Sequence, residues 1–115
     1  MIIYHNSPDG HKMAEIIPGD ILISAPEDIL DLMVEAGYND CEKLILHRET
    51  LNDSFFDLKT KVAGEILQKF SNYRMKLAII GDFSNIESKS LRDFVRESNT
   101  RGIITFVDSL EKAVS

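Results

Sequence analysis

Apolar positions in this chain come in short bursts separated by polar stretches, and the spacing within each burst predicts an element. Residues 2–5 and 12–17 carry β-branched side chains on either side of Asn6-Ser7-Pro8-Asp9-Gly10. Proline presets φ there, and Asp and Gly tolerate tight-turn positions, so the pattern predicts a β-hairpin. A turn at Pro18-Gly19-Asp20 leads into a strand-like run at residues 21–23. Ser24 is placed as a helix N-cap, with Glu27 three residues on as in a capping box and Pro26 in the first turn. Ile29, Leu30, Met33 and Val34 continue at helical spacing, and Gly37 predicts the stop.

Leu44-Ile45-Leu46 reads as a buried strand, residues 76–81 as another and residues 103–107 as the last. Between the first two lies the strongest helical period: Phe55, Leu58, Val62, Ile66, Phe70 and Tyr73 recur every three or four residues. Asp53 or Ser54 is placed to cap that helix, and Asp57 with Lys61 and Glu65 with Lys69 stand at i,i+4. Ser88 or Lys89 begins a helix with Leu91, Phe94 and Val95 inward, ending over residues 99–102. Asp108, with Glu111 three residues later, opens a short terminal helix ending near Val114. The order β-β-α-β-α-β-α-β-α predicts one α/β domain over residues 1–115. Its sheet is expected to be single, mixed and mostly parallel, opened by the hairpin.

Composition narrows the class. With 115 residues, 43% hydrophobic and 28% charged, the chain is long enough to bury a core without disulfide or metal staples. A net charge of -6 opposes binding to nucleic acid, which needs Lys and Arg against phosphate. The single cysteine, Cys41, closes no intrachain disulfide, which suits a reducing compartment; it precedes a strand and reads as a structural thiol. The start of the chain lacks the pattern of a signal peptide, and no apolar run approaches bilayer length, so a cytoplasmic protein off the membrane is expected.

In such a sheet ligands gather where parallel strands end. Three polar segments follow the three predicted parallel strands: residues 47–54, Asp82-Phe83-Ser84, and Asp108-Ser109. Asp53, Asp82 and Ser84 are therefore candidate ligand contacts. Asp53, Asp82 and Asp108 could meet around a hard cation, but each also suits a cap or turn, and no metal is assigned. His5, His11 and His47 have no zinc-like spacing. No phosphate-cradling glycine loop and no nucleophile elbow occurs, so no cofactor and no catalytic residue is assigned. His47 with Glu49 reads either as an acid–base pair or as two solvated loop residues. Ser54 reads either as a cap hydroxyl or as a phosphoacceptor or anion site. Lys89, Arg92 and Arg96 share one helical face that would suit an acidic partner, unless Asp93 and Glu97 neutralise it.

Two resemblances add to this. Residues 55–60 (Phe-Phe-Asp-Leu-Lys-Thr), 64–71 (Gly-Glu-Ile-Leu-Gln-Lys-Phe-Ser), 77–84 (Leu-Ala-Ile-Ile-Gly-Asp-Phe-Ser), 88–94 and 97–99 together resemble a bacterial family known as a domain of unknown function, number four-one-eight-zero. It brings no activity. The order of elements, and the segment Gly19-Asp20-Ile21-Leu22-Ile23-Ser24-Ala25-Pro26-Glu27, are similar to the STAS domain of anti-sigma factor antagonists and sulfate transporter tails. That likeness places Asp53-Ser54 where the family carries a phosphorylatable Asp-Ser, although Phe55 and Phe56 stand where the family has small residues. It implies a non-enzymatic regulatory module that binds an unidentified protein partner, switched at Ser54. The alternative is a small enzyme or ligand-binding protein using the strand-end cleft. A homodimer formed by hairpin edge pairing is the third reading.

Overall fold

In the computed structural model the residues described are 2–19, 23 and 25–115. Strands β1 (Ile2–Asn6) and β2 (Lys12–Ile16) form the predicted hairpin. The Gly10 N–H bonds the Ser7 carbonyl at 2.9 Å and the Ser7 N–H bonds the His11 carbonyl at 2.8 Å. Gly10 takes φ +86°, the left-handed value that this three-residue loop requires and that glycine meets without a Cβ penalty.

The chain continues through α1 (Pro26–Tyr38), β3 (Lys43–His47), α2 (Val62–Asn72), β4 (Lys76–Ile80), α3 (Lys89–Arg101), β5 (Ile104–Val107) and α4 (Leu110–Val114). The five-stranded sheet has order β1-β2-β3-β4-β5, with β1 antiparallel to β2 and every later pair parallel. The predicted α/β class and single mixed sheet are therefore present.

This topology decides which face is covered. Parallel strands added one after another in a single direction, through right-handed crossovers, send every crossover helix over the same face. Ile29 and Met33 of α1, Ile66 and Phe70 of α2, and Phe94 and Val95 of α3 accordingly pack into one cluster with Ala14, Leu44, Leu46, Leu77, Ile79 and Phe106. Among the described residues, the other face receives the one-turn α4. Ala113 and Val114 pack there on Met13, Ile45 and Ala78, and Lys43 Nζ donates to the Ala113 carbonyl at 2.9 Å.

One sequence expectation goes largely undescribed and two others change. The Ser24 cap and most of the 21–23 run fall outside the described residues; Ile23 itself bridges to Leu51 in parallel. Helix α1 starts at Pro26, and Asp28, not Glu27, reaches back to accept from the Ala25 N–H at 3.2 Å. The last helix is capped by Ser109, whose Oγ accepts from the Lys112 N–H, rather than by Asp108.

The largest correction concerns the helix read from Phe55. Helix α2 begins only at Val62, and Phe55 and Leu58 lie in short 3-10 turns before it. Side chains there take backbone groups that an α-helix would use. Asn52 Oδ1 accepts from the Ser54 N–H, Asp57 Oδ1 accepts from the Lys59 N–H, and Thr60 Oγ1 donates to the Ser54 and Asp57 carbonyls. Lys61, at φ +64°, then turns the chain into the helix.

Candidate functional site

The parallel strands end together, since His47 pairs with Ile80 and Ile80 with Val107, so the polar segments that follow share one edge of the sheet. Asp82, Ser84 and Asp108 line one shallow cleft of about 280 Å³ with Phe83, Phe106 and Lys112. Asp53 stands outside that cleft with its side chain 95% exposed, accepting from Arg48 Nη2 at 3.0 Å.

The groups at this edge are engaged with one another. Asp82 Oδ1 accepts from the Ser84 N–H at 3.0 Å and from Ser84 Oγ at 2.6 Å, and these bonds hold its carboxyl below the usual range. Lys112, 2.9 Å from Asp108, does the same for that carboxyl. The Arg48 guanidinium lies 4.0 Å from the centroid of Phe56, which begins a run of ring contacts through Phe83 to Phe106 and Phe94. Arg48 and Gly81 approach so closely that a Cβ on residue 81 would stand 2.7 Å from Arg48 Cβ. Glycine is what lets β3 and β4 end side by side here.

Ser54 is half-buried in the 3-10 turn at Asp53–Phe56, eight residues before α2 starts, with its N–H and carbonyl both bonded. On α3, Lys89 and Arg96 both pair with Asp93, at 3.1 and 3.0 Å, and their bonds keep its carboxyl low, Lys89 foremost. Arg92 Nη1 donates to the Ile86 and Glu87 carbonyls at 2.8 and 3.0 Å, which fixes the preceding loop. Cys41 is buried, and burial foremost pushes its thiol up, away from the reactive thiolate.

The sheet face away from the crossover helices holds a cluster that the sequence reading missed. Glu15, the fourth residue of β2, is only 5% exposed. Its Oε2 lies 2.6 Å from His47 Nε2 and its Oε1 lies 2.8 Å from His5 Nε2. Strand register brings the three together: His5 stands opposite Met13 on β1, Glu15 opposite Ile45, and His47 two residues beyond Ile45. Burial pushes the Glu15 carboxyl up, but the hydrogen bonds of His47 and His5, with their charges, hold it below the usual carboxylate range. His47 thus pairs with Glu15 rather than Glu49. A buried carboxylate between two imidazoles can fix ring orientation. Among the described residues no group of three or more His, Cys, Asp or Glu is arranged to hold a metal ion. Among them, too, no helix is long and apolar enough to cross a membrane.

Fold and site together define a small α/β domain with crossover helices on one face of a mixed sheet and a carboxylate–imidazole cluster on the other. The chain belongs to the family described as Domain of unknown function (DUF4180), whose match covers residues 8–115. No curated protein and no solved structure matches it.

Proposed function

We propose that the chain is a non-enzymatic, STAS-like protein-binding module whose docking element is the β1 edge. The observation that carries this reading is the unequal treatment of the two sheet edges. At β5, the Asn99 side chain accepts from the Phe106 N–H at 2.7 Å and donates to the Phe106 carbonyl at 3.3 Å, blocking further pairing. At β1, Ile3 and Tyr4 are 40% and 41% exposed, and neither a proline nor a lysine interrupts the strand.

Backbone geometry sets the pairing that this edge offers. Because Ser7 bonds His11 across the hairpin, alternation makes His5 and Ile3 the residues that bond β2. The N–H and C=O groups of Ile2, Tyr4 and Asn6 then face away from the sheet. A second copy running antiparallel with Tyr4 on the two-fold axis pairs Ile2 with Asn6 at both ends. It also sets Ile3 of one copy beside His5 of the other, next to the Glu15 cluster. An edge of five residues is a small contact, so the association is the weak, concentration-dependent kind.

The non-enzymatic part draws support from the strand-end edge, where Asp53, Asp82 and Asp108 are engaged by Arg48, Ser84 and Lys112. The order of elements supports the STAS-like part.

Sedimentation velocity over a concentration series tests the proposal. The wild-type chain is expected to pass from monomer to dimer, and Tyr4→Pro to stay monomeric. Tyr4→Pro removes an outward N–H and leaves the β1–β2 bonds in place. A wild-type chain monomeric throughout, or a Tyr4→Pro variant that dimerises equally, overturns it.

A further inference from the structure

We infer that the opposite edge of the sheet, where the parallel strands begin, carries a binding site for a compact dianion of the phosphate-monoester class. The inference does not depend on the β1-edge reading. The site is a cavity of about 570 Å³ between the hairpin loop and the starts of β3 and β4, with Lys43, Arg74 and Lys76 along its wall and Met13 and Pro8 as apolar surface.

The placement of charge argues for an anion. Lys43 and Lys76 stand directly opposite each other in the β3–β4 register. Like charges so placed repel and destabilise a strand pair, and here both side chains line the same hollow. Arg74, in the turn just before β4, adds a third cation from a left-handed backbone, φ +56°, which non-glycine residues adopt at a cost. Three cations therefore converge on one hollow of a protein whose net charge is -6.

Acidic side chains share the cavity with these cations. Glu42 and Asp9 line it, but the Glu42 carboxylate is paired with His11. Lys43 Nζ is tied to the Ala113 carbonyl, and Ser115 Oγ to the Lys112 carbonyl. Arg74 and Lys76, on the same wall, are exposed. A tetrahedral dianion would lie between the two lysines and relieve their repulsion, with Arg74 forking onto its oxygens. The room left over, with Met13 and Pro8 beside it, suits a small organic body on the phosphate rather than a polymer.

The test uses the full chain and glycerol phosphate, with inorganic phosphate, succinate and chloride at matched ionic strength as further arms. Amide resonances of Lys43, Arg74 and Lys76 are expected to shift saturably with glycerol phosphate, and the thermal midpoint to rise with its concentration. The variant Arg74→Gln with Lys76→Gln keeps the fold, because both side chains are exposed, and is expected to bind at least about tenfold more weakly. Inorganic phosphate binding as well as glycerol phosphate keeps the site but removes the organic body. Succinate binding best reassigns it to dicarboxylates and overturns the phosphate class. Shifts no larger than those in chloride, or equal affinity in the double variant, overturn the site itself.

Discussion

The Asn99 side chain clasps the backbone of Phe106 at both its N–H and its carbonyl, so a residue of α3 takes the place of a sixth strand beside β5. Asn99→Ala deletes both bonds and uncovers backbone groups that a neighbouring molecule can pair with. We expect a loss of about 1–2 kcal/mol in urea unfolding, and new concentration-dependent association by light scattering. Asn99→Asp keeps the acceptor for the Phe106 N–H and should recover part of the stability. An alanine variant as stable and as monodisperse as the parent would show that the clasp is incidental.

The Glu15 cluster predicts a graded response. Glu15→Ala leaves the imidazoles of His5 and His47 without their shared acceptor, and should cost about 2–4 kcal/mol; Glu15→Gln keeps an acceptor and should cost less. Acid separates charge from packing. The folded-state pKa of Glu15 is depressed, so its ionisation stabilises the fold above the unfolded carboxylate value, and that stabilisation is lost as pH falls through the folded value. The stability gap between wild type and Glu15→Gln should therefore narrow on acidification from neutral pH. A gap that stays constant in urea titrations at neutral and acid pH refutes the charge argument.

Gly81→Ala tests the closeness of the strand ends. The added methyl would sit 2.7 Å from Arg48 Cβ and 3.1 Å from the Phe83 ring. Backbone must move to make room, at about 1–3 kcal/mol. Shortening Arg48 to alanine should give no rescue, because the clash is with the Cβ that alanine retains. Rescue in the double variant, measured by thermal unfolding, would place the conflict elsewhere.

The segment before α2 yields a contrast between neighbours. Asn52 holds the Ser54 N–H through its side chain, whereas the bonds at Ser54 run through its backbone. Asn52→Ala should cost about 1 kcal/mol, as losing a cap does, and Ser54→Ala less than about 0.5 kcal/mol. Equal losses from the two substitutions would mean that the Ser54 hydroxyl supports the fold.

How much the sequence discloses depends on the range of the interactions involved. The hairpin was legible because Pro8, Asp9 and Gly10 write their turn chemistry locally. The parallel strands were legible because Leu44 to Leu46 and Leu77 to Ile80 are short aliphatic runs. The start of α2 was not, because Asn52, Asp57 and Thr60 outcompete a helical apolar stripe through side chain–backbone bonds that periodicity does not register. Glu15 was missed for another reason. Its partners lie 10 and 32 residues away in the chain and meet it only through strand register, so the sole local hint is a glutamate between Ala14 and Ile16. The basic row on α3 was visible, but its commitment to Asp93 and to the carbonyls of the preceding loop depends on rotamers.

The order of the strands also bears on how the chain folds. Each strand hydrogen-bonds the strand made just before it, so each addition after the hairpin closes one loop and waits for no distant segment. Loop-closure entropy is met in small instalments, which favours rapid two-state kinetics for a sheet of this size. A ribosome-bound chain can build the sheet strand by strand, its growing edge always the newest strand, until α3 arrives with Asn99 and the last strand takes its place beneath it.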